Sequence, residues 1–237
     1  MPIRFQFRAI PFVATLVAMA IGISLGQWQS WRAAEKESIE LKLRERGTAA
    51  PIVVSSAPAS IDAIEYRQVL VTGEFVRDWP LYLDNRPHKG TAGLHVLLPL
   101  KLAGSDMHVM VARGWIPRNQ SDRAKLPPLV TPSGVVEIQG LVKRNAGHVM
   151  QLGQAEKLQP GAIVQNLDLG EFAAASKLRM QAFILEQQND SGDGLLHDWP
   201  RPSSGIDKHR GYAFQWYGLS ATAFLFFVVT GFRRGKK

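Results

Sequence analysis

Two long apolar runs bracket the chain. Ile10 to Leu25 carries no charged residue and continues through Gly26 and Gln27 to Trp28, and Tyr212 to Phe232 is uncharged throughout. A hydrocarbon core about 30 Å thick takes roughly 20 residues of helix to cross, so transmembrane helices are predicted over 10–30 and 212–232. Between them the pattern changes twice. From Trp31 to Arg46 the residues are charged and helix-favouring, with Glu37 and Leu41, and Glu40 and Arg44, at i,i+4 spacing. Pro51 and Pro58 then break the pattern, making 31–60 a helical extension followed by a linker. Over 61–190 short apolar, β-branched runs alternate with Gly, Pro and Asn turns, as in Val69, Val71, Gly73 and Phe75. Strands are predicted at Arg67 to Val76, Leu81 to Asp84, Leu94 to Leu102, His108 to Trp115, Val135 to Val142 and Arg179 to Gln187. One helix is predicted at Asp168 to Lys177, and 191–211 reads as a linker to the second span. The expected fold is a membrane protein with two transmembrane helices flanking an antiparallel β-rich domain, barrel-like or a sandwich, of the α+β class. Parallel winding is disfavoured, because the gaps between strands are too short for crossover helices.

Charge then orients this arrangement. The formal net charge of +8 could suggest a nucleic-acid-binding domain. No Asp or Glu precedes Glu35 or follows Asp207, however, while Arg4, Arg8, Arg233, Arg234, Lys236 and Lys237 cluster in the tails 1–9 and 233–237. Removing those cations leaves the interior nearly neutral. Basic tails beside apolar runs fit lipid headgroups, and the positive-inside rule puts both tails in the cytoplasm and the central domain outside it. Trp28, Trp31, Tyr212, Trp216 and Tyr217 would form an aromatic belt at the outer face. A cleavable signal peptide is the competing reading of the first run, but no Ala-x-Ala site follows it. Ala14, Ala18, Gly22 and Gly26 recur every fourth residue, a smooth stripe on which a second helix can pack, with Gly218, Ala221 and Thr222 as the expected receiving surface.

Candidate chemistry is sparse. Cysteine is absent, so thiolate metal sites, disulfides and a cysteine nucleophile are excluded. Neither a P-loop, G-x-S-x-G, H-E-x-x-H nor G-x-G-x-x-G occurs, and an enzyme is not expected. Asp84-Asn85-Arg86-Pro87 with Gly90 and Gly93 reads as a polar turn. Arg113-Gly114-Trp115-Ile116-Pro117 is either a binding edge or a strand end packed by Trp115. His108 with Met110, and His148 with Met150, pair imidazole with thioether, a soft set suited to Cu(I), although packing and surface roles explain them equally. His209 precedes the second span. If the helix begins a turn early, His209, Ala213 and Trp216 share one face, with Tyr212 beside it. An imidazole there is suited to axial ligation of a haem, with Lys208 and Arg210 facing its propionates, or is simply an interfacial polar residue. Gly211 bears on which holds, since it could loosen the helix start.

Gly26-x-Trp28-Gln29-x-x-Arg32, Gly73-Glu74-Phe75, Asn85-Arg86-Pro87 with Gly93 and Val96 to Leu100, Arg113-Gly114-Trp115-Ile116-Pro117, and His209-x-x-Tyr212-Ala213-x-Gln215-Trp216 occur in that order. Taken together, over nearly the whole chain, the pattern resembles the Surfeit-locus-one (Shy-type) family of cytochrome c oxidase assembly factors. The resemblance implies a non-enzymatic chaperone that helps haem a reach or settle in oxidase subunit I, with subunit I, haem a synthase and other assembly factors as partners. It makes His209 the candidate haem-iron ligand and Tyr212, Trp216, Trp28, Gln29 and Arg32 its companions in a cofactor-binding zone. A scaffold that holds oxidase intermediates without carrying cofactor is the alternative, and a periplasmic Cu(I) carrier a further one. The short segment before the first span leaves no room for a mitochondrial transit peptide, which favours a bacterial inner membrane with a periplasmic central domain.

Overall fold

The computed structural model describes residues 3–54, 58–122, 125–126, 128–151, 156–199 and 205–234, with residues 3, 4, 233 and 234 described by their backbone alone. Lys236 and Lys237 lie outside the described residues. In chain order the elements are β1 (Ile3–Phe5), α1 (Ala9–Gly47), β2 (Ile52–Val53), α2 (Ile61–Ile64), β3 (Gln68–Phe75), β4 (Leu81–Leu83), β5 (Gly93–Leu102), β6 (Met107–Pro117), β7 (Val135–Lys143), β8 (Ile163–Val164), α3 (Leu169–Ser176), β9 (Arg179–Gln187), α4 (Ile206–Gly231) and β10 (Phe232–Arg234). They form two compact units, one from the described residues up to Leu41 together with those from 205 onward, the other from Lys42 to 199.

Within the first unit, α1 and α4 are long and apolar enough to cross a membrane. At 39 residues α1 is about 58 Å long and absorbs the predicted extension without a break. The second helix starts at Ile206 rather than Tyr212. Hydropathy registers only the apolar part of a helix, whereas Asp207 in the first turn complements the positive helix end and Gly205 takes the left-handed conformation before it.

The second unit is a β domain. All six predicted strands form, each within two residues of its expected ends, and α3 forms where expected. Asp168 caps α3 by accepting the Glu171 amide at 2.9 Å, and Lys177 closes it with φ of 63°. The eight-stranded sheet runs β2-β3-β7-β9-β6-β5-β4-β8, and β3 also pairs with β5, so five strands close a circuit of pairings. At that closure Gly73 lies against the Lys101 carbonyl, where a side chain has no room.

The expectation of a purely antiparallel sheet is corrected. β6 and β9, β2 and β3, and β4 and β8 pair in parallel. The long excursion through β7, β8 and α3 supplies the crossover for β6 and β9, which the short gaps between neighbouring strands concealed.

One apolar cluster draws on all five strands of the circuit, through Val71, Leu100, Val109, Ile138 and Phe183. A second lies under β4, β8 and α3, around Leu81, Met110, Phe172 and Ile184. β6 feeds both, since alternate residues of a strand face opposite sides. Ten of its eleven residues are therefore buried.

That burial includes charge. Arg113 and Asp193 are both fully inaccessible and pair at 2.5 Å. Arg113 also donates to Thr131 Oγ1 at 2.9 Å and to the Val130 carbonyl at 3.0 Å, and lies over the Phe75 ring. Removing one member of such a pair strands the other in a medium of low polarity. Asp193→Ala is expected to cost about 3–5 kcal/mol of stability, whereas Arg113→Met with Asp193→Leu costs much less; thermal unfolding of the two variants measures the difference.

Two further groups give opposing pH dependence. Burial, with the Arg86 and His88 charges adding to it, lowers His95 from the ordinary 6.5 to about 4. Its contribution is full above 6.5 and is lost as pH falls towards 4, because only the unfolded chain accepts the proton readily. Burial raises the Glu186 carboxyl from 4.5 to about 6, against the pull of Lys143 at 3.9 Å. Here the native state holds the proton, so stability is greatest below 4.5 and declines as pH rises through 6. Glu186→Gln removes an opposing slope worth about 2 kcal/mol. The unfolding midpoint of that variant is expected to drop more steeply than wild type on acidification from pH 6 to 4.5; parallel curves count against this assignment.

Candidate functional site in the helix pair

A three-four spacing runs through the covered positions of the two helices, Phe12, Thr15, Met19, Gly22, Gly26, Gln29 and Ala33 on α1 and His209, Ala213, Trp216, Ser220, Ala223 and Phe227 on α4, with Leu25, Ser30 and Val228 covered beside it. A seam of period 3.5 keeps facing its partner when helices supercoil gently. The helices run antiparallel: Phe12 meets Phe227 with ring centroids 5.6 Å apart, Gly26 faces the Tyr217 ring, and Gln29 reaches His209.

Gly22 and Gly26 set the approach. A Cβ added at Gly22 would lie 3.4 Å from Ser220 Cβ, and one at Gly26 2.6 Å from the Tyr217 ring. Ser220 Oγ donates to the Trp216 carbonyl at 3.0 Å within α4 and also lies 3.4 Å from the Met19 carbonyl across the seam. Half of the expected stripe is thus used. Ala14 and Ala18 are exposed, and so are Gly218, Ala221 and Thr222, so the receiving surface is Tyr217 and Ser220 instead. The every-fourth-residue stripe drifts around the helix, while the seam alternates steps of three and four and keeps only Gly22 and Gly26.

At the upper end of the seam stands its polar pair. Gln29 Oε1 accepts from His209 Nδ1 at 2.6 Å. That oxygen only accepts, so Nδ1 is the donor, and in the neutral ring the lone pair then lies on Nε2. Next to it Arg210 forms an ion pair with Glu37 at 2.9 Å. α4 runs unbroken through Gly211, so His209 remains on the Ala213 and Trp216 face.

Of the expected site residues, then, the structure joins His209 and Gln29 directly and sets Trp216 two turns away on the same seam. Trp28 and Tyr212 stand about half exposed, at 50% and 53%, and Arg32 is paired with Glu35 at 2.7 Å. Arg210 is occupied by Glu37, leaving Lys208 as the exposed cation beside His209. Glu37 was missed from the sequence, although its position on the predicted extension could have matched an arginine just before the second span.

A haem fits this donor set in its chemistry. A neutral imidazole with Nδ1 fixed by an amide oxygen presents Nε2 to a metal, the usual arrangement of ligating histidines. The soft copper set is not assembled in the same way. Met110 is fully buried in the apolar cluster under β4, and His108 Nδ1 lies 3.2 Å from the Arg179 carbonyl. His148 and Met150 are exposed in an irregular segment.

The remaining motif residues converge in the β domain. Trp115 Nε1 donates to the Arg86 carbonyl at 2.6 Å, and its indole fills the space that a side chain at Gly93 would need. Arg86 donates to the carbonyls of Asp84, Gly147 and Gln165 at 2.9, 3.2 and 3.0 Å. Asn85 adopts φ of 58° to make the turn. Of the two readings of Arg113 to Pro117, the structure takes the packed strand end: Arg113, Trp115 and Ile116 are buried.

A β domain carried between two helices long and apolar enough to span a membrane, with a polar pair in the helix seam, defines the class of this protein. The model of the SURF1 family matches residues 16–221, and the chain belongs to that family. A SURF1-like protein of Rickettsia felis is 24% identical over 228 residues, covering 92% of this chain and 95% of that protein. Surfeit locus protein 1 of Mus musculus is 25% identical over 235 residues, covering 91% and 74%. A SURF1-like protein of Monosiga brevicollis is 28% identical over 144 residues, covering 55% of this chain and 53% of the relative, about half its length.

The packing face is directly testable in a chain without native cysteine. Cβ atoms 3.4 Å apart at Gly22 and Ser220 approach disulfide geometry. Gly22→Cys with Ser220→Cys is expected to cross-link on mild oxidation, and Gly22→Cys with Gly218→Cys to remain reduced; the reverse result would place the seam on the other face of α4.

Proposed function

We propose that this chain is an assembly factor for cytochrome c oxidase, in which the helix pair receives haem a and assists its delivery to subunit I. Membership of the SURF1 family supports the oxidase assignment, and the Gln29 to His209 hydrogen bond is the observation that carries the haem reading. His209 Nε2 would ligate the iron, while Gln29 holds the ring in one tautomer and orientation. Haem, when bound, would supply the iron centre for which the imidazole is a suitable ligand. Trp28, Tyr212 and Trp216 offer aromatic surface at that end of the helix pair, and Lys208 is the exposed cation next to the histidine in sequence.

The proposed setting is a bacterial inner membrane crossed by α1 and α4, with both ends cytoplasmic and the β domain periplasmic. The basic flanks and the bacterial relatives support it. The bilayer, oxidase subunit I, haem a synthase and other assembly factors are the proposed partners. The proposed role is that of a chaperone, for which membership of the SURF1 family is the support.

The test is the visible spectrum of protein purified from cells that make haem a. Wild type is expected to retain haem, His209→Ala to lose it, and Gln29→Leu to bind about 10–100-fold more weakly, the usual cost of losing a partner that orients a ligating histidine. Unchanged haem content in His209→Ala removes that residue from the site. A wild-type protein free of haem that still rescues oxidase assembly points to the scaffold role.

A further inference from the structure

Arg210 follows His209 on α4 and reaches across to α1, where its Nη2 donates to both carboxylate oxygens of Glu37 at 3.1 and 2.9 Å. One nitrogen thus makes both bonds. A guanidinium carries five N–H groups in a rigid fork, and its strong pairing with a carboxylate runs through two nitrogens in parallel. Nε and Nη1 of Arg210 have no hydrogen-bond partner among the described residues. Both side chains are also about half exposed, at 59% and 48%, where an ion pair contributes little. Glu37 therefore holds Arg210 weakly, and in a geometry that another carboxylate can improve on.

Glu37 lies about 12 Å along α1 beyond Gln29. The guanidinium is thereby set apart from the polar pair of Gln29 and His209, although its backbone adjoins the histidine. Haem carries its carboxylates on the rim of the macrocycle and not at the iron, which calls for a cation removed from the ligating nitrogen. The other arginine at this end of the helices, Arg32, is engaged by Glu35 at 2.7 Å. Arg210, with most of its fork unused, is the group there best shaped to receive a carboxylate. A protein that passes a ligand on also needs a hold that can be undone.

We propose that Glu37 is an internal competitor for Arg210, exchanging with a carboxylate of the ligand that His209 receives. This rests on the haem reading of the site and adds to it the selection of a ligand that bears a free carboxylate. Exchange of one carboxylate for the other keeps the guanidinium paired throughout. The ligand is consequently held less tightly than Arg210 alone would hold it, and Glu37 takes the arginine back on release.

Titration of the detergent-purified full chain with haemin, and separately with haemin dimethyl ester, whose carboxylates are blocked, tests this by absorbance. Glu37→Gln is expected to bind haemin about two- to five-fold more tightly than wild type, the range set by an exposed ion pair, and the diester no more tightly. Arg210→Gln should bind haemin more weakly, and adding Glu37→Gln to it should change nothing further. Glu40→Gln, which removes another exposed negative charge of α1, should leave both affinities as they are. A gain shared by the diester, a gain that survives without Arg210, or the same gain from Glu40→Gln overturns the proposal. Haemin binding that is indifferent to Glu37 and Arg210 overturns it and leaves the haem reading standing, whereas failure of wild type to bind either porphyrin removes both. Oxidative cross-linking of Gly22→Cys with Ser220→Cys, repeated in each background, verifies that the helix pair is still assembled.

Discussion

Close approach of two helix backbones at Gly22 and Gly26 is the contact on which the candidate site depends. Between apolar helices in a bilayer there is no hydrophobic gain from association, so packing contact and a few hydrogen bonds must hold them. Any larger residue at Gly26 meets the Tyr217 ring, and any at Gly22 meets Ser220. Only at this separation can the Gln29 amide reach the His209 imidazole. The glycines thus act on chemistry they do not touch, by fixing the distance across which a polar pair closes.

The same logic of a polar group placed inside an apolar seam recurs in the β domain with a different outcome. Arg113 is buried on a strand that serves two apolar clusters, and its charge is met by Asp193, Thr131, the Val130 carbonyl and the Phe75 face. Arg86 and Trp115 are likewise absorbed by backbone carbonyls. These residues build the closed circuit of strands. In the helix seam, by contrast, Gln29 engages Nδ1 of His209 while Nε2 has no partner among the described residues.

Much of this organisation was legible in residue order. Short apolar, β-branched runs between turn residues placed β3, β5, β6, β7 and β9 to within a residue or two, because each has at least one face that must leave water. Asp168 and the apolar face behind it placed α3. The parallel β6 to β9 pairing was not legible, since pairing partners are chosen by three-dimensional closure and alternation is blind to which strand lies alongside. β2 and β8, at two residues each, carry too few positions to show a period at all. Proline content hid β2 inside an apparent linker, and the charged residues 206–210 hid the first turn and more of α4.

Sequence alone determined that two apolar runs flank a β-rich domain, that the cations gather beyond those runs, and that cysteine chemistry is absent. It also gathered Gln29, Trp28, Arg32, His209, Tyr212 and Trp216 into one zone at the end of the two runs. Tertiary structure decided which of these meet. Composition and spacing fix what each residue can offer, but the face of a helix that becomes its seam depends on the shape of the other helix. The small-residue stripe turned partly outward, Arg210 went to Glu37, and His209 found Gln29, because each contact is settled by the distance between two backbones and not by the order of residues along one.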